Sequence, residues 1–395
     1  MDKLRIGVWL PDNFSPESGG GFGYLNQLIS ILDDIKIDNI EISYLSHASY
    51  NNSDIFHLKS YQKYSILLNS SKIASIKLKI LNKLGLSKKT IRSVIQEVKD
   101  ELAEKFDLIY FPTPICYFDD FPFIYTVWDL GHLNTYSFPE VTYNGCFESR
   151  QLDYSVIPFK ALLILAESNY GKSEILNYLQ INKDRIEVVP LLPSVVVESS
   201  ISAIKPKSLK ENIKFFHYPA QFWSHKNHLN LILAFNEFVK EYPNVKLILS
   251  GADKGNLKYI LDTIKHYKLD DKVIYLGFIT YEELKWLYLN SMGLIMPTLM
   301  GPSNMPLIEA AMLNCPVACS NINGHIEQLG DYGIYFDALD HLDIKKSMIT
   351  LINRENKMNF ITFKNYNEIA KDRLQKAFIK SMKIRSCWGK NDKIF

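Results

Sequence analysis

The feature that most constrains the fold of this chain is an alternation of short, wholly apolar runs with helix-patterned segments, repeated in two series. The first series contains "LRIGVWLP", "IEISYLS", "LIYFP", "FIYTVWD" and "ALLILAES". The second contains "IKFFHYPA", "VKLILSG", "KVIYLGF", "GLIMPT", "PVACS" and "IYFD". Runs without polar alternation read as strands buried on both faces, and the helical segments between them read as crossovers, which together specify parallel sheets. The stretch between the series, Pro193 to Asn212, has no period and reads as a linker with a hinge. The expected fold class is α/β, with two doubly wound lobes at residues 1–195 and 213–370 and a linker at 196–212. Ligands in such sheets bind outside the carboxyl ends of the strands, so two facing lobes make a cleft.

A chain of 395 residues is long enough for two such lobes, each with its own core. Hydrophobic residues at 47% and charged residues at 22% are ordinary for a soluble globular protein, and a net charge of +2 gives no bias toward nucleic acid. The opening "MDKLRIGVWLP" is too short an apolar run for a signal peptide or a membrane span. The five cysteines, Cys116, Cys146, Cys315, Cys319 and Cys387, include no Cys-x-x-Cys pair, so a reduced, cytoplasmic setting is expected. Lys72 to Arg92 carries basic but no acidic residues, with Ile73, Ile76, Ile80 and Leu84 near one helical face. It reads either as a helix lying on an anionic membrane surface, which would make the protein peripheral at the inner face, or as a docked helix with a solvated lysine face.

Three stretches carry chemistry. "SGGGFG", Ser18 to Gly23, lies between a strand and a helix; Gly20 and Gly21 let backbone N–H groups approach a pyrophosphate at a helix start. Its spacing differs from Gly-x-Gly-x-x-Gly. "FHYPAQFWSHKNHLNLILAF" places Lys226 in a strand-to-helix loop, where a cation neutralises phosphate charge. His225 and His228 flank it without a carboxylate or cysteine to complete a metal site, so both read as capping and solvated loop residues. "MPTLMGPSNMPLIEAAMLNCPVACS" has a polar turn, a proline and a helix bearing one carboxylate, Glu309. A glutamate beside a phosphate site is better suited to hydroxyl groups, so the ligand has phosphates at one end and hydroxyls at the other.

From about Phe215 to Asp337, and more weakly through the first strand, the glycine stretch and "AESNYGKSEIL", these blocks resemble a family 4 glycosyltransferase. The resemblance implies the GT-B fold, two Rossmann-like domains with a nucleotide-sugar in the cleft, transfer with retention of configuration, and a last helix, 371–395, crossing back to the first domain. It implies that Glu309 holds ribose hydroxyls and that backbone amides of Ser303, Asn304 and Met305 contact the diphosphate or sugar. The backbone from Gly277 through Phe278 and Ile279 to Thr280 would read the base. Three positions depart from the family pattern: Gly301 stands where a first glutamate is usual, Gln221 where an arginine is common, and Trp128 where a histidine precedes Asp129. "GPSNMP", "WDLGH" and "FPEV" are similar to a variant among bacterial enzymes of surface polysaccharide synthesis, which favours an active enzyme with altered sugar contacts.

The expected reaction is hexosyl transfer, of mannose, rhamnose or similar, to a growing capsule or O-antigen glycan, and the basic stretch suits a lipid-linked acceptor at a membrane. Lys226, the glycine stretch and the helix dipole stabilise the departing diphosphate, with no cofactor and no metal ion implied. Asp129 and His132 are expected to orient the acceptor or the sugar hydroxyls. Two rivals stay open: a silent glycan-binding or partner subunit that kept the fold, and a nucleotide-sugar epimerase.

Overall fold

The computed structural model describes residues 3–11, 20–47, 55–68, 88–210, 212–353, 363 and 365–387. Seven strands form the first sheet: β1 (Leu4–Trp9), β2 (Ile40–Ser46), β3 (Ile55–His57), β4 (Leu108–Phe111), β5 (Phe123–Val127), β6 (Leu163–Ala166) and β7 (Ile186–Val188). Their order is β3-β2-β1-β4-β5-β6-β7. Six more form the second: β8 (Lys214–Pro219), β9 (Val245–Ser250), β10 (Val273–Tyr275), β11 (Gly293–Met296), β12 (Val317–Ser320) and β13 (Gly333–Phe336), in the order β10-β9-β8-β11-β12-β13. Every pairing is parallel, as between Ile6 and Leu108 in the first sheet or Leu294 and His217 in the second. Three strands, β3, β7 and β10, are three residues each and only partly buried, and of these only β10 stood out as an apolar run.

The apolar runs are buried for the reason their composition suggests. All four residues of β4, β6, β11 and β12 are buried, because helices cover both faces of each sheet. Each sheet reverses its strand order once, between β1 and β4 and between β8 and β11. The connections leaving these strands diverge there and open a crevice at their carboxyl ends. The helix Gly20–Asp34 follows β1, and the helix His228–Phe238 follows β8, so both begin at that edge. The expected glycine loop is shorter than its sequence suggested: Gly20 and Gly21 already belong to the first turn of the helix.

The segment between the sheets is not loose. Val196 is fully buried in the second core, the Lys285 ammonium donates to the Glu198 carbonyl, and the Ile204 N–H donates to the Glu282 carbonyl at 3.0 Å. The last described helix, Tyr366–Arg385, packs on the first sheet: Leu374, Ala377 and Phe378 join Ile6, Val8 and Tyr110 in one buried cluster. Most of the basic stretch Lys72 to Arg92 lies outside the described residues; only its end enters the helix Lys88–Lys105. No described helix is long and apolar enough to cross a membrane.

Candidate active site

The carboxyl ends of the strands face each other, and two adjoining cavities of about 340 Å³ each lie between them. They share walls made by Gly20, Pro219, Ala220, Gln221, Met305 and Pro306.

The first cavity is mainly apolar. Phe278, Ile279 and Thr280 line it along the loop after β10, and Gly251 lines it after β9. Gly277 has φ 73°, which turns the chain sharply, and its carbonyl accepts from the Gly251 N–H at 2.8 Å. The Phe278 ring remains 55% exposed, an apolar face available to a planar ligand. At the base lies Glu309, carried by the short helix Met305–Met312 and only 3% exposed. It accepts from the Ser194 N–H at 3.0 Å, from the Ser194 hydroxyl, and from the Tyr288 hydroxyl at 2.9 Å. Burial pushes its carboxyl above the ordinary value although these three donors oppose the shift. The hydroxyl groups that Glu309 meets in the structure are those of Ser194 and Tyr288.

The second cavity carries charged side chains, Asp129, Glu167 and Lys226, in a largely apolar wall. Lys226, at the end of a short 3-10 turn, is the one side-chain lysine or arginine lining either cavity among the described residues. Its ammonium donates to Asn304 Oδ1 at 3.0 Å, and burial lowers its pKa to about 8. Asn304 is itself fixed, because its amide meets His325 Nε2 at 2.9 Å. Its backbone N–H donates to Gln328 Oε1 at 2.8 Å, which corrects the expectation that Ser303, Asn304 and Met305 all present free amides. Gly301 has φ 122°, and a Cβ there would lie 2.8 Å from Asn304 Nδ2. The turn thus demands glycine at that position. Gln221 lines both cavities, with its Oε1 accepting from Trp223 Nε1 at 3.0 Å.

The first lobe supplies Asp129 from the end of β5, held by the Arg150 guanidinium and by the Gly131 N–H at 2.8 Å. His132 is placed differently from the expectation. It lines neither cavity, is 6% exposed, and stacks on Tyr154 with ring centroids 5.4 Å apart. Its Nδ1 accepts from Arg150 Nε at 3.2 Å, and burial, with Arg150 beside it, lowers its pKa to about 4. It can act on a ligand only through Arg150 and Asp129. His225 and His228 are buried rather than solvated: His225 Nδ1 and N–H both meet Glu140 Oε1, and His228 stacks on Phe222. Among the described residues no group of three or more His, Cys, Asp or Glu side chains is placed to hold a metal ion.

Sequence reasoning missed three residues. Arg150 orders Asp129, Glu140 joins the lobes through His225, and Glu167 accepts from the Ser303 hydroxyl across the cleft. Glu167 and Glu140 lie in quoted stretches, "AESNYGKSEIL" and "FPEV", but were not singled out there; Arg150 sits in a region whose local pattern is simply that of a helix.

Two parallel Rossmann-like lobes with a divided cavity between their strand ends define a GT-B protein. The comparisons with known proteins agree. Residues 200–370 match the family described as glycosyl transferases group 1. It is similar to O-antigen chain mannosyltransferase B of Escherichia coli, at 27% identity over 188 residues, 46% of this chain and 49% of that protein. It is also similar to the serotype-specific mannosyltransferase WbdA of the same species, at 28% over 153 residues, 36% of this chain and 19% of that one. The matched region thus spans about half the length of the first relative and less of the second. Among solved structures, Anabaena Alr3699/HepE in complex with UDP and glucose aligns with a TM-score of 0.62 at 16% identity, covering 96% of this chain and 99% of that one. The lipopolysaccharide outer core galactosyltransferase WaaB aligns with a TM-score of 0.60 at 15% identity and the same two coverages. At these identities the structural matches establish the fold.

Proposed function

We propose that the chain is a retaining hexosyltransferase that moves mannose, or a similar hexose such as rhamnose, from a nucleotide-sugar to a growing cell-surface glycan such as capsule or O-antigen. The observation that carries this reading is the junction of two cavities of unlike charge, one with Glu309 at its base and no cationic side chain, the other with Lys226, Asp129 and Glu167 in its wall. A nucleotide-sugar has the same division, with base and ribose at one end and diphosphate and sugar at the other. The two mannosyltransferases similar to this chain support mannose.

On this reading the backbone of Gly277 to Thr280 and the Phe278 ring hold the base, and Glu309 adds ribose hydroxyls to the two hydroxyls it already meets. Lys226, the N–H groups of Ser303 and Met305, and the helix start at Gly20 and Gly21 hold the diphosphate. Negative charge grows on the leaving phosphate oxygen as the sugar departs. A preorganised cation and two helix N-termini stabilise that charge more in the transition state than in the bound donor. The acceptor hydroxyl attacks from the face the leaving group vacates, and the phosphate oxygen takes its proton, so no protein nucleophile is needed. Asp129, fixed by Arg150, orients the acceptor or a sugar hydroxyl, and His132 supports Arg150. The basic stretch Lys72 to Arg92 suits an encounter with anionic lipid and hence a lipid-linked acceptor.

The test is to supply GDP-mannose, dTDP-rhamnose and UDP-glucose with acceptor glycans in excess EDTA, measuring released nucleotide diphosphate and the anomeric configuration of the product. Release from one donor, with configuration retained and without added metal, is expected. An inverted product refutes retention, and turnover restored only by Mg²⁺ or Mn²⁺ refutes metal independence. A silent glycan-binding or partner subunit is the second reading, favoured by Gly301 and Gln221 at positions where charged residues are usual. No release from any donor would select it.

A further inference from the structure

The second cavity has two acidic side chains in its wall, Asp129 and Glu167. Asp129 is engaged, because its Oδ1 accepts from both Arg150 and the Gly131 N–H. Glu167 is only half engaged. It follows β6 of the first lobe, and its Oε2 accepts from the hydroxyl of Ser303 in the second lobe. Its Oε1 has no partner among the described residues, yet it is not among the buried atoms left unpaired, so it opens on the cavity. Burial, with Asp129 adding to it, pushes the Glu167 carboxyl up to about 8. At pH 7 it is mostly a neutral acid, able to donate as well as accept. A neutral carboxyl tolerates a nearby diphosphate, whereas a carboxylate would repel it.

The opposite wall cannot offer the same group. The turn from Gly301 to Asn304 has no acidic side chain, and the backbone at Gly301, with φ 122° and Asn304 Nδ2 2.8 Å from a Cβ, leaves no room for one. A hexose there would present several hydroxyls to a wall of Met300, Pro302 and Met305, with Glu167 and Ser303 as the polar pair among them.

We propose that Glu167 reads the transferred sugar: a carboxyl supplied by the first lobe hydrogen-bonds a hydroxyl of the hexose, with Ser303 of the second lobe fixing its orientation. This rests on the nucleotide-sugar reading given above. It makes sugar choice a property of both lobes, because the contact exists only when Glu167 and Ser303 meet across the cleft.

The experiment measures dissociation constants of the full chain by titration calorimetry for three pairs: GDP-mannose and GDP, dTDP-rhamnose and dTDP, UDP-glucose and UDP. For the pair that the wild type binds, Glu167→Ala should weaken the nucleotide-sugar by about 5- to 10-fold, the range of one hydrogen bond. The bare nucleoside diphosphate should change by less than about twofold, because it makes no contact with the sugar subsite. Glu167→Gln, which keeps a donor and an acceptor, should recover most of the lost affinity. Equal weakening of both ligands, or no change in either, overturns the assignment while leaving the proposed function intact. If the wild type binds none of the three nucleotide-sugars, the proposed function and this inference fall together. Should Glu167→Ala not fold, Ser303→Ala carries the same comparison, since it frees the carboxyl from its orienting partner.

Discussion

At the scale of the residue, the proposed function has Lys226 and Glu309 divide the work by the state they stabilise. Ribose changes little during reaction, so Glu309→Gln should mainly raise KM, whereas Lys226→Ala should lower kcat by about 10²-fold, the loss typical of one preorganised donor at a developing charge. Steady-state kinetics on both variants, with unfolding midpoints close to wild type, check this; near-normal kcat in Lys226→Ala at saturating donor would remove the lysine from that role. Burial sets a further expectation. Lys226 loses its charge and Glu167 gains one as pH rises through about 8, and both changes oppose a diphosphate. Asp129 and His225 line the same cavity, with His225 held below its ordinary value by burial. The wild-type kcat/KM should therefore fall above pH 8 with a slope steeper than one proton, and Glu167→Gln should reduce that slope toward one. The sign for stability is the reverse. A lysine with a folded pKa of about 8 and an ordinary value of 10.5 burdens the fold below pH 8, and the burden fades between those values because the unfolded chain binds more protons there.

At the scale of the element, the turn between β11 and the helix Met305–Met312 joins backbone geometry to chemistry. Asn304 holds the Lys226 ammonium, and Gly301 leaves the space that Asn304 occupies. Gly301→Ala combines a positive φ with a close contact, so it should cost about 1–3 kcal/mol in denaturant unfolding and lower kcat by displacing Lys226. Unchanged stability would mean that the turn has another conformation within reach. Much of this was legible in the sequence. Apolar runs marked most of the strands, because burial on both faces excludes polar residues; the proline and polar turn marked the start of the helix; and the position of Lys226 after β8 followed from the strand-to-helix pattern. What was not legible depends on contacts far apart in the chain. Glu167 meets Ser303 across 136 residues, and Glu140 meets His225 across 85, so no local spacing announces either pair. His132 misled for a related reason: its place five residues after β5 says nothing about the Tyr154 ring and Arg150 side chain that cover it.

At the scale of the whole molecule, the lobes touch through several polar bridges. Glu327 accepts from the N–H groups of Asn169 and Tyr170 at 2.7 Å each, capping the helix Asn169–Leu179 from the other lobe, and Thr135 donates to the Leu299 carbonyl at 3.1 Å. The helix Tyr366–Arg385 belongs to this scale as well, since it follows the second sheet in sequence and covers the first in space. Phe378 is wholly buried there, edge-to-face with Tyr110 at 5.7 Å. Phe378→Ala should cost about 3–5 kcal/mol, and hydrogen exchange should show the loss in β1 and β4 rather than in β8 and β11. Protection lost equally in both sheets would mean that the lobes unfold as one unit. The position of this helix also bears on how the protein is made. Arg385 donates to the Asp107 carbonyl across 278 residues, so the first lobe leaves the ribosome with one flank of its core uncovered. At about 5–20 residues per second, tens of seconds pass before the covering helix emerges. During that interval the bare apolar bed around Ile6, Val8 and Tyr110 is the surface a nascent-chain chaperone would find.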